Sequence, residues 1–232
     1  MPPSVEAALA AMGVELDPGD ADRLRAYLEA LRGANERFNL TAITDPVPMW
    51  ERHIQDSLTL VPFLASAEAR EVIDVGSGGG LPGIPLAIAM PSVRVTLLEA
   101  TGKKAAFLGE ATAALGLANV RVLHARAESA GQDHHLHRGR YDAVVSRAVA
   151  RLATLAELTV PFAREGGAVL LIKGAQAADE VAEAKQALYR LHAQVAGLHR
   201  TATGTVVVLE KVRPTPRAYP RLPGEPKRRP LS

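Results

Sequence analysis

The stretch Val72–Leu81, VIDVGSGGGL, constrains the fold of this 232-residue chain more than any other segment. A short apolar run passes directly into Gly76, Gly78, Gly79 and Gly80. Glycines there allow positive φ and let a ligand approach the backbone closely. A strand, a glycine turn and a helix make the first βα unit of a doubly wound sheet, whose ligands bind beyond the carboxyl ends of the strands. A dinucleotide fingerprint needs glycine at the first, third and sixth positions of that turn. Counted from Gly76, the sixth position is Leu81. Asp74 stands just before the turn, where a carboxylate opposes a pyrophosphate but can contact a cationic ligand. The loop therefore suits S-adenosylmethionine, which carries an ammonium, a sulfonium and no phosphate, better than a nicotinamide dinucleotide.

The rest of the pattern agrees with this unit. Leu24, Tyr27, Leu28 and Leu31 recur at helical spacing, which predicts a helix over Ala21–Glu36 with Asp20 as its N-cap. A second helix is expected from near Asp45, with Pro46 at its first position, through Trp50, His53, Ile54 and Ser57 towards Leu60. Apolar strands at Val93–Leu98, Val120–Leu123, Ala143–Val145, Ala168–Ile172 and Val206–Leu209 alternate with helices at Thr101–Leu115, Leu152–Phe162 and Ala177–Leu191. Gly166–Gly167 reads as a turn. This alternation predicts an α/β fold, a doubly wound, mainly parallel sheet of the S-adenosylmethionine-dependent methyltransferase type with N-terminal helices. The expected division is a helical region over 1–66 packed on the core, a main domain over 67–212 and an arm over 213–232.

That arm holds Arg213, Arg217, Arg221, Lys227, Arg228 and Arg229 against Glu225, with six prolines between. It is expected to be extended and non-helical, ordered only where it docks. The net charge of the whole chain is only +2, which alone does not argue for nucleic acid. The absence of cysteine excludes disulfides and thiolate metal sites and suits a reducing compartment. Met1–Ala10 lacks the basic start and apolar core of a signal peptide, and no apolar run reaches the length of a membrane span. A cytoplasmic location away from membranes is expected.

Several side chains outside the loop are candidates for the site. Glu99 ends the second strand 99 − 76 = 23 positions after Gly76, close to the ~20 at which an acid hydrogen-bonds ribose hydroxyls. Ala127 and Glu128 follow the third strand, where an adenine edge is expected. Arg147 and Lys173 lie at the carboxyl ends of two later strands, placed to meet a cofactor carboxylate or an RNA phosphate, or simply to form ion pairs. His53 and Asp56, three apart on one helix and next to Ser57, form either a polar cluster facing the substrate or a packing network. His134, His135 and His137 have no partners at metal-ligand spacing, so an exposed loop is expected there and no metal.

The segments ERFNLTAITDP (Glu36–Pro46), RHIQDSL (Arg52–Leu58), VIDVGSGGGLPGIPLAI (Val72–Ile88), LLEATGKKAAFL (Leu97–Leu108), SRAVA (Ser146–Ala150) and LIKG (Leu171–Gly174) occur in order. Together they resemble the bacterial 16S ribosomal RNA guanine-N7 methyltransferase family, also called glucose-inhibited division protein B, over nearly the whole chain. The resemblance implies methyl transfer from S-adenosyl-L-methionine to N7 of a guanine in 16S ribosomal RNA or the small ribosomal subunit; a monomer is expected. It places cofactor contacts on Gly76, Gly78, Leu81, Glu99, Ala100, Thr101, Ala127, Glu128 and Arg147. Catalytic candidates are His53, Asp56 and Lys173. Other readings are a methyltransferase acting on another RNA or a small molecule, and a module that binds the cofactor without chemistry.

Overall fold

The computed structural model describes residues 1–147 and 150–231; Ala148 and Val149 of the SRAVA segment and Ser232 of the arm lie outside the described residues. Helices α1 (Pro3–Ala11) and α2 (Asp20–Phe38) lead into α3 (Pro46–Met49), a π-helical turn Trp50–Gln55, α4 (Asp56–Leu58) and α5 (Val61–Ser66). The alternating part follows: β1 (Glu71–Val75), α6 (Gly83–Ala89), β2 (Arg94–Glu99), α7 (Gly102–Ala114), β3 (Val120–His124), α8 (Ala127–Gly131) and β4 (Tyr141–Arg147). Then come α9 (Leu152–Thr159) with a 3-10 turn Val160–Phe162, β5 (Ala163–Lys173), α10 (Ala177–Glu183), α11 (Lys185–Leu191), β6 (Ala193–Arg200), β7 (Thr205–Lys211) and α12 (Glu225–Arg228).

The seven strands lie in the order β3-β2-β1-β4-β5-β7-β6. The first five are parallel, and β7 runs antiparallel to both β5 and β6. The chain reverses its direction of travel across the sheet at β1, so the switch point lies between β1 and β4, where such folds open a ligand crevice. Strand side chains alternate between two apolar layers with period two. Val72, Val95, Leu97, Val145 and Leu170 face the layer of α2, α6 and α7. Ile73, Leu98, Val144, Val169 and Leu171 face the layer of α9 and α11.

The N-terminal helices are part of the first layer. Leu24, Tyr27 and Leu31 are fully buried on the predicted face of α2, and burying side chains of this size contributes about 1.5–3 kcal/mol each. The Tyr27 hydroxyl donates to the Gly79 carbonyl at 2.9 Å, tying α2 to the glycine loop.

Several expectations are corrected. Asp20 is the first helical residue, not the N-cap; Gly19 at φ 94° holds that place, and the Asp20 carboxylate accepts the Asp17 N–H instead. Gly166–Gly167 is not a turn ahead of a strand but lies inside β5. Between paired positions Tyr141/Ala163 and Ala143/Ala168, β5 uses five steps against two on β4. Gly166 takes φ 68° in this bulge, and a Cβ on Gly167 would come within 2.8 Å of the Arg164 carbonyl. The helix expected over Ala177–Leu191 is broken at Ala184 into α10 and α11. The arm is not wholly extended. Pro226 sits in the first turn of α12, where a missing N–H costs nothing. Helices α1 and α5 and strand β6 had no clear periodic signal.

Candidate active site

A cavity of about 880 Å³ opens at the switch point, lined by the turns that follow β1, β2, β3 and β4. From the β1 turn come Gly76, Gly78, Gly79 and Leu81; from the β2 turn Glu99 and Ala100; from the β3 turn Ala127 and Glu128; and from β4 Arg147. Thus eight of the nine residues that the resemblance nominated share one wall. Gly76 and Gly78 adopt φ of 76° and 57°, conformations that an L side chain resists.

Glu99 organises the two turns beside it. One carboxylate oxygen accepts the Gly78 N–H at 2.9 Å and the other the Thr101 N–H at 2.7 Å. A carboxylate has about four acceptor positions, so lone pairs remain for ligand hydroxyls. Thr101 is the residue that falls outside the wall: it caps the start of α7, and its N–H serves Glu99. Glu128 is already committed on both oxygens to Arg126 and also accepts the Gly224 N–H of the arm at 2.8 Å.

Asp74 does not face this cavity, which corrects the expectation that it meets a cationic ligand directly. It is fully buried, and one oxygen accepts the Gly83 N–H at 3.0 Å at the start of α6. Its other oxygen has no partner among the described residues. Burial pushes its carboxyl up to about 7, opposed by the Gly83 and Ser77 hydrogen bonds and the Arg147 charge. The acid thus holds the shape of the turn from behind.

Arg147 lies between the cavity and a buried polar cluster. Its guanidinium donates to the Arg52 carbonyl and lies 3.4–3.5 Å from His53 Nδ1. His53 Nε2 lies 2.9 Å from the Thr41 hydroxyl. An arginine can only donate, so Nδ1 accepts and the imidazole is neutral with its proton on Nε2. Burial, reinforced by the Arg147 charge, brings the His53 pKa down to about 4. Asp56 is buried, with its carboxyl raised to about 6 by desolvation, against the pull of Arg147 and Arg52. Its nearest cation is Arg52, at 3.9 Å. Histidine and aspartate therefore do not pair; His53 lies against Arg147, and Asp56 only feels its charge. The π-helical turn accounts for this, because it fits more residues into each turn and so moves residues three apart off a common face. Single π turns often mark functional sites.

Lys173 is held elsewhere. Its ammonium donates to the Ala150 carbonyl and pairs with Glu180, both at 2.7 Å, and the side chain is largely buried. His137 is buried and bonded to the Tyr141 hydroxyl, while His134 and His135 are exposed. Among the described residues no group of three or more histidine, aspartate or glutamate side chains is placed to hold a metal. The cavity also includes residues that the sequence did not nominate: Leu40, Lys104, Arg126 and Arg151, with Lys227, Pro230 and Leu231 from the arm. Leu40 lies within the FNLTAI segment, so a signal existed there without a geometry to interpret it.

The family profile described as rRNA small subunit methyltransferase G matches residues 20–206. The chain belongs to that family. It is 51% identical over 214 residues to the ribosomal RNA small subunit methyltransferase G of Sorangium cellulosum (strain So ce56), covering 91% of this chain and 88% of the relative. It is 47% identical to the protein of that name from Roseiflexus sp. (strain RS-1), covering 95% and 96%. In fold it is similar to an O-methyltransferase from Bacillus cereus solved in complex with SAH, with a TM-score of 0.59 at 18% identity over 90% of this chain and 97% of that one. The same holds for an O-methyltransferase, TomG, from Streptomyces achromogenes, with a TM-score of 0.57 at 19% identity over 90% and 96%. These likenesses fix a Rossmann-like α/β methyltransferase fold.

Proposed function

We propose that this family member transfers a methyl group from S-adenosylmethionine to N7 of a guanine in small-subunit ribosomal RNA. Membership of the small-subunit rRNA methyltransferase G family makes the chain an S-adenosylmethionine-dependent rRNA methyltransferase. The observation that carries the reading to atoms is the switch-point cavity, with a glycine turn on one side and the Glu99 carboxylate on the other. The donor set fits S-adenosylmethionine: acceptor positions on Glu99 for ribose hydroxyls, apolar Leu81 and Leu98 for the purine, and the Arg147 guanidinium for a carboxylate. When bound, the cofactor supplies an electrophilic methyl on sulfur.

The chain's own work is binding and orientation. N7 of guanine has a lone pair and no proton, so no side chain has to act as a base. A neutral His53 is compatible with that chemistry. In this reading Gly76, Gly78, Leu81, Glu99, Ala100 and Ala127 hold the nucleoside. Glu128 lines the same wall while bonded to Arg126, and Thr101 supports from behind through its bond to Glu99. Arg147 anchors the amino-acid end, and His53 and Thr41 fix its guanidinium. Holding the two reacting atoms in line is the main source of rate, and fixed acceptors at the rim stabilise positive charge spreading onto the base. A-form RNA hides N7 in a deep, narrow groove, so a loop base or an extruded base is the substrate. Lys104, Arg126 and Arg151 line the cavity, Arg126 paired with Glu128 and Arg151 with Glu183, and this cationic lining suits phosphates.

The N-terminal region 1–66 and the arm 213–232 are proposed as extensions of a main domain over 67–212, in a monomeric cytoplasmic enzyme that uses no metal. No helix among the described residues is long and apolar enough to cross a membrane. The test is to incubate the protein with labelled S-adenosylmethionine and small-subunit RNA and to map the label. Label on a single guanine, at N7, is expected. Label on another atom overturns the guanine-N7 reading, and none on RNA overturns the substrate.

A further inference from the structure

The C-terminal arm crosses the surface and reaches the cavity with Lys227, Pro230 and Leu231, tied down at several points. Arg138 donates from one guanidinium to four carbonyls, those of Gly131, Thr215, Pro216 and Tyr219, at 2.6–3.0 Å. Arg221 donates its backbone N–H, Nε and Nη2 to the fully buried Glu157 at 2.6–2.9 Å. A buried carboxylate with three such donors is a strong anchor. The Gly224 N–H goes to Glu128, and the Thr154 hydroxyl donates to the Pro226 carbonyl at 3.2 Å. Beyond these ties Leu231 is only 5% exposed, in the apolar cluster that holds Val75, Leu98, Leu152 and Leu155. Lys227, Pro230 and Leu231 line the cavity with Ala127, Glu128 and Leu152.

We infer that this end of the arm is a wall of the cofactor site, taking the purine half of S-adenosylmethionine; the inference rests on the function proposed above. The placement follows from the order of the turns. With ribose hydroxyls at Glu99 on β2, the base extends towards Ala127 and Glu128 on the β3 side, to which Gly224 ties the arm. Pro230 and Leu231 offer apolar surface to a flat ring. Lys227 sets the polarity, since a cation there disfavours the ammonium and sulfonium of the other half. The arm then has two working parts: Arg221 fixes the strap by its ion pair, and Leu231 closes the pocket.

Binding of S-adenosylhomocysteine, followed by calorimetry, tests this on three chains: the native one, one ending at Gly224, and the Leu231→Asp variant. Both altered chains should bind about tenfold more weakly, the effect of removing one large apolar contact. Affinities within twofold of native overturn the inference and leave the proposed function standing. A native chain that binds no S-adenosylhomocysteine overturns both. Trypsin acting on the native chain gives a measurement that needs no variant. Lys227 and Arg228 are exposed cleavage points. S-adenosylhomocysteine should slow cutting there severalfold, and equal rates with and without it count against the arm as a wall.

Discussion

Arg147 is the residue on which the cavity and the N-terminal cluster meet. Its bonds to the Arg52 carbonyl and His53 leave the planar fork in one orientation. Lysine keeps the charge but loses that fork. Arg147→Lys should therefore weaken S-adenosylhomocysteine binding by about tenfold or more, with the fold retained by circular dichroism; native affinity would remove Arg147 from the site. Asp74 is open to a pH test. Burial pushes its carboxyl up to about 7, from 3.8 for a solvated aspartate. The fold prefers the protonated form, so the stability this group contributes is complete below pH 3.8 and is lost as pH rises through 7. An Asp74→Asn chain has no such loss. Between pH 4 and 8 it should gain on the native chain by roughly 1–3 kcal/mol in urea titrations. A constant difference across that range would mean the carboxyl is not desolvated as the structure has it.

At the level of elements, the glycine turn is built by its neighbours as much as by its own sequence. A Cβ on Gly83 would lie 2.3 Å from Leu97 Cδ2 and 2.8 Å from Asp74 Oδ2, so α6 starts with no room to spare. Gly83→Ala should cost about 1–3 kcal/mol, measured by thermal unfolding, and should loosen the turn enough to lower cofactor affinity in parallel. Tyr27→Phe removes the only side-chain bond from α2 to the loop among the described residues and strands the Gly79 carbonyl. Its cost should be about 1 kcal/mol, with a fall in cofactor affinity that an isolated packing role would not produce.

For the molecule as a whole, two apolar layers and a strap meet at one crevice. The arm leaves Arg213, Arg217 and Arg229 exposed while Arg221 is paired inward. If the exposed cations also meet RNA, changing all three to glutamine should flatten the salt dependence of RNA binding by about 0.7–0.9 per lost phosphate contact. The slope is read from filter binding at several salt concentrations, and an unchanged slope confines the arm to its role at the cavity.

The glycine loop, the Glu99 spacing and the alternating apolar runs were sufficient in the sequence for the parallel part of the sheet and for most of the residues that line its crevice. Such local patterns repeat with the period of the element that they form. The FNLTAI and RHIQDSL segments marked the family, but not what they do. Their meaning depends on contacts between residues far apart in the chain, such as Thr41 and Arg147 with His53. The same reason explains why Asp74, beside the loop in sequence, points behind it, and why Lys173 is spent on Glu180. Proline and arginine content set the last twenty residues apart from the rest of the chain. Only the tertiary structure decided where that arm goes, because its course is set by single acids on distant helices, Glu128 and Glu157, and by one apolar residue, Leu231, reaching the core.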